Sequence, residues 1–238
     1  MAERLDLGEI AVDVRFKNIK NVHLSVYPPV GRVRISAPMR MNLDTVRVFA
    51  ISKLSWIKQQ QRKILAQERE TPREYLNLES HYLWGKRYLL RVIEGNQSPT
   101  IEVQHSKLLL RVPPLTAEEK KQEIVAQWYR SQLKEAVPEV VAKWSQVIGV
   151  TVEGFYVQQM KTKWGSCNHS AGTIRLNTEL AKKPKECLEY VVVHEMVHLL
   201  EPTHNARFIA LMERFMPNWR LRRDHLNQLP VRHEEWGY

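Results

Sequence analysis

Residues 191–200 read Val-Val-Val-His-Glu-Met-Val-His-Leu-Leu and place an HExxH motif inside an apolar run. Residues four apart lie one above the other on a helix, so His194 and His198 can reach a single metal ion. Glu195, between them, lies close enough to polarise a water molecule held on that ion. The surrounding valines and leucines indicate a buried helix, in which histidines need partners. The stretch therefore predicts a metal-binding helix, with two satisfied core histidines as the alternative.

A third histidine, His204, follows His198 after five residues, and Pro202 must end or bend the helix between them. Together with His194 these histidines form a three-ligand set for Zn²⁺ that leaves the fourth coordination position open to water. We expect Glu195 to take the proton of that water as general base. The predicted chemistry is that of a metal-dependent hydrolase.

The third ligand leaves alternatives open. The His-x5-His spacing matches the metzincin motif, but Glu201 stands where that motif has glycine, so the turn after the helix must differ. His204 could instead cap the next helix. The third ligand would then be one of three residues further along the chain, namely Glu213, Asp224 and His225.

The composition is that of an ordinary globular protein, with 43% hydrophobic and 26% charged residues among 238. The first residues carry acids and lack an apolar segment, so we expect no secretory signal. No apolar run approaches the ~20 residues that span a bilayer. The two cysteines, Cys167 and Cys187, are too few and too widely spaced for a disulfide scaffold or a CxxC site. We therefore expect a cytoplasmic protein without a membrane partner.

The pattern of strands and helices along the chain predicts an α+β fold. Residues 1–115 are expected to form a basic, mostly β N-terminal portion with helices, and Pro113-Pro114 stops its last strand. Residues 116–238 are expected to form the hydrolase domain, with a small sheet and the HExxH helix. We find no internal repeat in the sequence.

Two helices before the metal motif carry more specific expectations. An apolar helix should begin at Asn42 or Asp44 and run to about Glu70, with Trp56 on its apolar face. A second helix follows the boundary at residue 115, and Pro138 should break or kink it.

The net charge of +10 lies mainly in the first part of the chain, with +8 over residues 1–150 and +2 over residues 151–238. Such an excess suits an anionic partner, either a nucleic acid or a nucleotide, while a solvated surface without a partner is the alternative. The candidates for a shared basic face lie in strand and helix segments: Arg32, Arg34, Arg62, Lys63, Arg87 and Arg91.

A second informative motif is Lys163-Trp164-Gly165-Ser166-Cys167. Together with Ile174-Arg175-Leu176-Asn177, residues 190–195 and His204-x3-Phe208, it resembles the YgjP-like metallopeptidase family of zincins over about residues 155–225. The resemblance implies a zincin-like domain with zinc at His194, His198 and His204 and with Glu195 catalytic. It also implies kinship with SprT-type peptidases, some of which act on proteins bound to DNA.

The role of the Trp164–Cys167 segment stays open between two interpretations. Its strand could border the cleft and align an extended peptide, or Lys161 and Lys163 could hold phosphates. Alternatively, Trp164 packs on the metal helix and Gly165 makes a bulge. Cys167 is not expected to act as a nucleophile, because zinc already provides one. The remaining histidines lack ligand spacing and are expected at the surface: His23, His81, His105, His169 and His233.

Three functions fit these observations, and the shape of the site separates them. A zinc metallopeptidase comes first and is favoured by a long exposed cleft edge beside the metal. A metal-dependent nucleoside triphosphate pyrophosphohydrolase is the alternative and is favoured by a closed pocket lined by Lys161, Lys163 or Arg175. A DNA-associated zincin that acts on DNA-bound proteins is the third, and it predicts salt-sensitive DNA binding.

Overall fold

The computed structural model describes residues 2–27, 30–66, 73–160 and 163–230. The described residues fall into two compact units, an N-terminal unit drawn from Met1–Glu70 with Pro230–Tyr238 and a C-terminal unit drawn from Thr71–Leu229. The described elements of the N-terminal unit are β1 (Ala2–Leu7), β2 (Ile10–Lys17), β3 (His23–Tyr27), β4 (Arg32–Pro38), α1 (Leu43–Ser52) and α2 (Leu54–Ala66).

The N-terminal unit is a four-stranded sheet covered on one face by its two helices. The strand order is β1-β2-β4-β3, in which β2 and β4 are parallel and the two outer pairs are antiparallel. Apolar and polar residues alternate along β2 and β4, so Val12 and Ile35 are buried while their neighbours point to the opposite face. Val46, Ala50 and Ile57 of the helices complete this core.

The single long helix expected after Asn42 is in fact two helices. Asn42 does cap α1, because its side chain accepts a hydrogen bond of 2.8 Å from the Thr45 amide. The helix is interrupted at Lys53, between α1 and α2. The expected end of the helix near Glu70 lies outside the described residues. The expectation for Trp56 was wrong, since this residue is 41% exposed. Ile57 is the residue that continues the buried stripe of Val46 and Ala50, and its neighbour therefore points elsewhere.

The C-terminal unit holds two sheets, four α-helices and one 3-10 helix within the described residues. Its elements are β5 (Ser80–Leu83), β6 (Lys86–Glu94), β7 (Thr100–Gln104), β8 (Lys107–Val112), α3 (Glu118–Ile148), β9 (Gly154–Gln158), β10 (Gly165–Asn168), β11 (Thr173–Asn177), a 3-10 helix (Thr178–Lys182), α4 (Lys185–Val197), α5 (Ala206–Phe215) and α6 (Trp219–Gln228). The three-stranded sheet has the order β10-β11-β9, so β10 lies at its edge. Sheets and helices in this arrangement confirm the predicted α+β class.

The two four-stranded sheets share one topology. The sheet of the C-terminal unit has the order β5-β6-β8-β7, with β6 and β8 parallel and the outer pairs antiparallel, as in the N-terminal unit. In each sheet the first hairpin turns through a glycine in the left-handed region, Gly8 at φ 69° and Gly85 at φ 80°. The repeat is one of strand order and direction, which the sequence pattern did not reveal.

The boundary between the units lies near residue 70 rather than between residues 115 and 116. Leu90 and Leu110 of the second four-stranded sheet belong to the same hydrophobic core as Leu133 of α3 and Val192 of α4. The β5–β6 turn also approaches the start of α4, where a Cβ on Gly85 would lie 2.9 Å from Pro184. Pro113-Pro114 marks a local stop, but long-range packing places the preceding strands with the part that contains the HExxH helix.

Pro138 does not interrupt α3, contrary to our expectation. The helix runs unbroken from Glu118 to Ile148 with Pro138 inside it. Pro138 faces solvent, so the carbonyl that loses its amide partner can bind water instead. Val137 and Trp144 are buried, and their packing in the core stabilises the helix on both sides of Pro138. Among the described residues, no helix is both long enough and apolar enough to cross a bilayer.

Candidate metal centre

Helix α4 carries the HExxH motif and is buried on nearly all sides. Its three successive valines favour strands by intrinsic preference, yet Val191, Val192 and Val193 are all buried within the helix. Tertiary burial therefore overrides local propensity here. The helix brings the rings of His194 and His198 to a centroid distance of 4.9 Å.

His204 comes back to the same point from the segment after α4. Its Nε2 lies 3.0 Å from Nε2 of His194 and 3.1 Å from Nε2 of His198. The ligand atoms of all three residues lie within 4.8 Å of one another. Tetrahedral Zn–N bonds of about 2.0–2.1 Å place ligand nitrogens roughly 3.3 Å apart, so this spacing fits one shared ion.

The protonation of the histidines also suits a metal. Burial, and then the neighbouring imidazoles of His198 and His204, lower the pKa of His194 to about 3. Burial also lowers the pKa of His198. The neutral imidazole is the form that binds a metal ion, so neither ring needs to lose a proton near neutral pH.

The three rings are held by one aromatic side chain and one carbonyl. Phe208 of α5 contacts all three imidazoles, with centroid distances of 5.0 Å to His194, 4.6 Å to His198 and 4.8 Å to His204. Nδ1 of His198 lies 3.0 Å from the backbone carbonyl of Glu201. A proton on Nδ1 would donate to that carbonyl and leave Nε2 as the ligand atom.

Glu195 is buried beside the histidines and sits against glycine. Its side chain is 6% exposed, and a Cβ on Gly165 would lie 2.6 Å from its Oε1. Burial raises the pKa of Glu195 to about 8, an effect that Lys163 opposes. A bound divalent cation would favour the charged carboxylate and lower this pKa. The bulge expected at Gly165 is thus replaced by a close approach that only glycine allows.

A buried asparagine holds the segment before Gly165 in place. Nδ2 of Asn177 donates to the carbonyls of Met160 and Lys163, both at 2.8 Å, and its backbone amide donates to Trp164 at 2.9 Å. Oδ1 of the same residue accepts from the amide of Glu179. Asn177 therefore joins the two upstream motifs, Lys163–Cys167 and Ile174–Asn177.

The site opens into a cavity of about 480 Å³. Three walls meet there: the edge strand β10 with the residues before it, helix α4, and helix α6. The lining residues are Lys163, Trp164, Gly165, Ser166, Cys167, His169, Tyr190, Val191, His194, Glu195, His198, Pro202, His204, Arg223, Leu226 and Asn227.

A partly buried ionic network joins helix α6 to α4. Glu189 accepts hydrogen bonds from Lys143 at 2.6 Å and from Trp144 at 3.0 Å, and it also pairs with Arg222. Burial raises the pKa of Glu189, but these donors outweigh burial and hold the pKa at about 2. The network therefore fixes the helix that brings Arg223 to the cavity.

The alternative ligands do not join the histidine group. Among the described residues, the group of metal-ligating side chains contains only His194, His198 and His204. Glu213 instead pairs with Arg220 at 2.6 Å, and Asp224 pairs with Arg223 at 2.9 Å. Residues Glu213, Asp224 and His225 also lie outside the cavity lining.

Several other sequence expectations find their outcome here. Cys167 lines the cavity, but burial and then Glu195 raise the pKa of its thiol to about 11, which disfavours a nucleophilic thiolate. Lys163 lines the cavity, whereas Arg175 packs near the Tyr156 ring, 5.9 Å from its centroid, and Lys161 lies outside the described residues.

The surface assignment of the remaining histidines was wrong for His81, which is 2% exposed and lies 3.2 Å from the Glu79 carboxylate. His169 is exposed and lines the cavity, while His233 lies outside the described residues.

The sequence analysis did not identify Tyr190 and Arg223 as residues of the cavity. Tyr190 precedes His194 by four residues, and the centroids of the two rings lie 5.8 Å apart in an edge-on arrangement. The helical spacing that identified His198 would also have identified Tyr190. Arg223 reaches the cavity only through the packing of α6, for which the sequence carries no local signal.

Comparison with known proteins identifies the family of this chain. A sequence profile described as YgjP-like, metallopeptidase domain, matches residues 20–229. The metallopeptidase zymogen of Pyrococcus abyssi abylysin is similar at 19% identity and a TM-score of 0.37, covering 40% of this chain and 98% of that chain. For the zymogen of Methanocaldococcus jannaschii jannalysin the values are 18%, 0.32, 38% and 95%. No curated protein matches this chain.

Proposed function

Because the chain belongs to the YgjP-like metallopeptidase family, we propose that it is a zinc-dependent peptidase acting on extended peptide segments. The observation that carries the proposal is the convergence of three imidazole nitrogens and the buried Glu195 carboxylate in one cavity. This arrangement provides ligands on one side of the cavity and a proton acceptor beside them.

In the proposed mechanism, His194, His198 and His204 would hold the ion. When bound, zinc supplies a Lewis acid that lowers the pKa of water and polarises a carbonyl group. Glu195 accepts the proton of the attacking water and returns it to the amine nitrogen as the C–N bond breaks. Its close contact with Gly165 keeps its carboxylate in one position for both transfers.

The edge strand β10 supports a peptide as the substrate. Gly165, Ser166 and Cys167 of this strand line the cavity, and β10 pairs with β11 on one side only among the described strands. An extended peptide can add to such an edge through main-chain hydrogen bonds. Its carbonyls would then pass beside the histidines.

A nucleotide is the second candidate substrate, and one observation favours it. The cavity is lined by the cations Lys163 and Arg223 together with His169, while Glu195 is its sole carboxylate among the described residues. Phosphate groups suit such a lining. Hydrolysis of a nucleoside triphosphate to pyrophosphate is therefore the alternative activity.

One screen separates these candidates. Purified protein should carry about one equivalent of zinc, and it should be assayed in parallel on casein and on a panel of nucleoside triphosphates. We expect casein cleavage that His198→Ala abolishes together with the bound metal. Turnover of a nucleotide without cleavage of casein would overturn the peptidase and support the alternative. A protein that refuses added zinc would overturn both.

We further propose that the N-terminal unit recruits the peptidase to DNA, where it acts on DNA-bound proteins. The supporting observation is the outer face of its sheet, on the side opposite α1 and α2. This outer face presents the aromatic ring of Tyr27 and five basic residues, Arg4, Arg15, Lys17, Arg32 and Arg34.

Charge and shape favour single-stranded DNA on this outer face. Arg34 lies over the ring of Tyr27 at 5.2 Å, and a sheet face with aromatic and basic side chains suits stacked bases and phosphates. Asp6 and Asp13 pair with Arg4 and Arg32, which leaves a net positive face.

The six basic candidates from the sequence do not form one surface. Arg32 and Arg34 lie on the outer face, whereas Arg62 and Lys63 lie on α2, across the unit. Arg87 and Arg91 belong to β6 of the other unit.

A further inference from the structure

The turn between α4 and α5 contains a residue whose role the catalytic scheme does not use. Glu201 occupies the position where the metzincin motif has glycine, two residues before Thr203 and three before His204. Its backbone amide still donates to Val197 at 3.0 Å, so it ends the last helical turn. Its backbone carbonyl faces Nδ1 of His198 at 3.0 Å.

The side chain of Glu201 turns back onto the same segment. Oε1 accepts hydrogen bonds from the amide of Thr203 at 3.3 Å and from its hydroxyl at 3.0 Å. The other oxygen lies 4.0 Å from Arg207, whose side chain is 71% exposed. An ion pair that long and that exposed contributes little, so the bonds to Thr203 are the main contacts of this carboxylate.

Thr203 connects Glu201 to the start of α5 through hydrogen bonds with Asn205. Its hydroxyl accepts from Nδ2 of Asn205 at 3.1 Å, and its carbonyl accepts from the Asn205 amide at 2.8 Å. Asn205 in turn caps α5, since its Oδ1 accepts from the amide of Phe208 at 3.0 Å. His204 is thus flanked on both sides by residues of one hydrogen-bond network.

We propose that Glu201 is a positioning residue for the metal centre. Its carbonyl keeps His198 in the tautomer that presents Nε2, and its carboxylate holds the turn that directs His204 toward the other two imidazoles. The inference rests on the proposed function in one respect, namely that the three histidines bind a metal. It adds that the affinity for the metal depends on a residue that does not touch it.

Four variants and two controls test this assignment. Glu201→Ala removes the acceptor, and Glu201→Gln keeps an oxygen at the same position. Thr203→Val removes the hydroxyl that bonds to Glu201, and Thr203→Ser restores it. Arg207→Ala removes the nearby cation and nothing else in the network. The wild-type chain serves as the reference throughout.

The measurements are zinc affinity, by competition with a chromophoric chelator, and the melting temperature of the metal-free protein. Glu201→Ala and Thr203→Val should weaken zinc binding by about 10–100-fold, the usual effect of removing a group that orients a ligand. Glu201→Gln, Thr203→Ser and Arg207→Ala should bind zinc nearly as well as the wild type. Long-range ¹H–¹⁵N spectra should show His198 with its proton on Nδ1 in the wild type and also in Glu201→Ala, because this variant keeps the backbone carbonyl. The loss of affinity in Glu201→Ala should therefore come from the turn that directs His204.

The outcomes distinguish this inference from the proposed function. A wild-type chain that fails to bind zinc would overturn both. Wild-type binding with unchanged affinity in Glu201→Ala and Thr203→Val would overturn the positioning role and leave the metal site intact. A lower melting temperature without any rescue of affinity by Glu201→Gln would also overturn it, because such a result indicates a merely structural contact.

Discussion

The two units of this protein contain four-stranded sheets of the same order and direction, but their surroundings differ. In the N-terminal unit, two short helices cover one face, and the other face presents charged residues. In the C-terminal unit, the sheet joins a core shared with α3 and α4. The three histidines lie on α4 and in the turn after it. The shared sheet topology therefore does not decide the chemistry of either unit. The elements that follow each sheet along the chain decide it.

If this division is correct, changes near the histidines should affect hydrolysis and leave DNA binding intact. Changes on the outer face should do the reverse. Substitutions in both units test this separation, from the largest expected effect to the smallest.

The largest effect is expected from Glu195→Gln. Removing the general base should lower the hydrolysis rate by about 10²–10⁴-fold, while zinc stays bound because Glu195 is not a proposed ligand. The measurements are kcat on a peptide substrate and zinc content of the same sample. Near-normal turnover would remove Glu195 from the mechanism, and a loss of DNA binding would break the separation of the units.

The second prediction concerns stability and its dependence on pH. Glu189→Gln should lower the free energy of unfolding of the C-terminal unit by about 1–3 kcal/mol at pH 7, because Lys143, Trp144 and Arg222 lose a charged and partly buried partner. The pKa of Glu189 lies at about 2, below its ordinary value of 4.5. Its contribution should therefore be complete above pH 4.5 and disappear as the pH falls toward 2.

Chemical denaturation at several pH values measures this contribution. Wild type and Glu189→Gln should converge in stability as the pH approaches 2. The matched control is Glu123→Gln, whose exposed pair with Lys120 should contribute less than about 1 kcal/mol. An equal loss of stability in both variants, at every pH, would refute the role of the Glu189 network.

The third prediction uses the contact between Gly165 and Glu195. A Cβ at residue 165 would lie 2.6 Å from Oε1 and 2.8 Å from Cγ of Glu195, so Gly165→Ala must displace the carboxylate. A shift of about 1 Å in a catalytic group can cost roughly 10²-fold in rate, and zinc binding should persist. We expect kcat to fall by about 10–100-fold.

Gly154→Ala is the matched control within the same sheet. Its Cβ would meet Thr173 at 3.8 Å, an ordinary contact, and activity should stay near the wild-type level. If both alanine variants lose activity equally, the loss comes from the sheet and not from Glu195.

The smallest effect is expected on the N-terminal side. The double variant Arg15→Glu and Arg34→Glu should weaken binding to single-stranded DNA and reduce its salt dependence by about 0.7 per lost phosphate contact. Zinc content and cleavage of a short peptide should not change. The control is Arg62→Glu with Lys63→Glu on α2, which makes the same change in charge away from the outer face.

Salt titrations of DNA affinity by fluorescence anisotropy measure the slopes of both double variants. Equal slopes in the two variants would indicate that overall charge, and not the outer face, attracts DNA. Absence of binding by the wild type at ~50 mM salt would leave the outer face a solvated surface.

Local spacing predicted the parts of the site that one helix carries. His194, Glu195 and His198 follow from the helical period alone, and the surrounding valines indicated that the helix is buried. The same period also pointed to Tyr190, which we did not consider. The α+β class followed equally from alternation and helical spacing along the chain.

Features that depend on distant residues were harder to predict. The unit boundary was placed at a local stop, Pro113-Pro114, although the strands before it pack with α3 and α4. The surface assignment of His81 failed because its burial depends on tertiary packing, although its partner Glu79 is only two residues away. Pro138 was expected to break or kink α3, but it does not break it, since the helix continues from Glu118 to Ile148 and the residues around Pro138 pack in the core.

The sequence by itself determined that two histidines and a glutamate share one buried helix, because their spacing equals the helical repeat. It also determined the charge of +10 and the motifs through which the chain matches its family. Only the tertiary structure decided that His204 lies beside the other two histidines and that Gly165 contacts Glu195. The same holds for the hydrogen bond from Thr203 to Glu201 in the turn between α4 and α5. The turn and the helices that bring these atoms together are held by packing between elements far apart in the chain, and no local periodicity encodes such contacts.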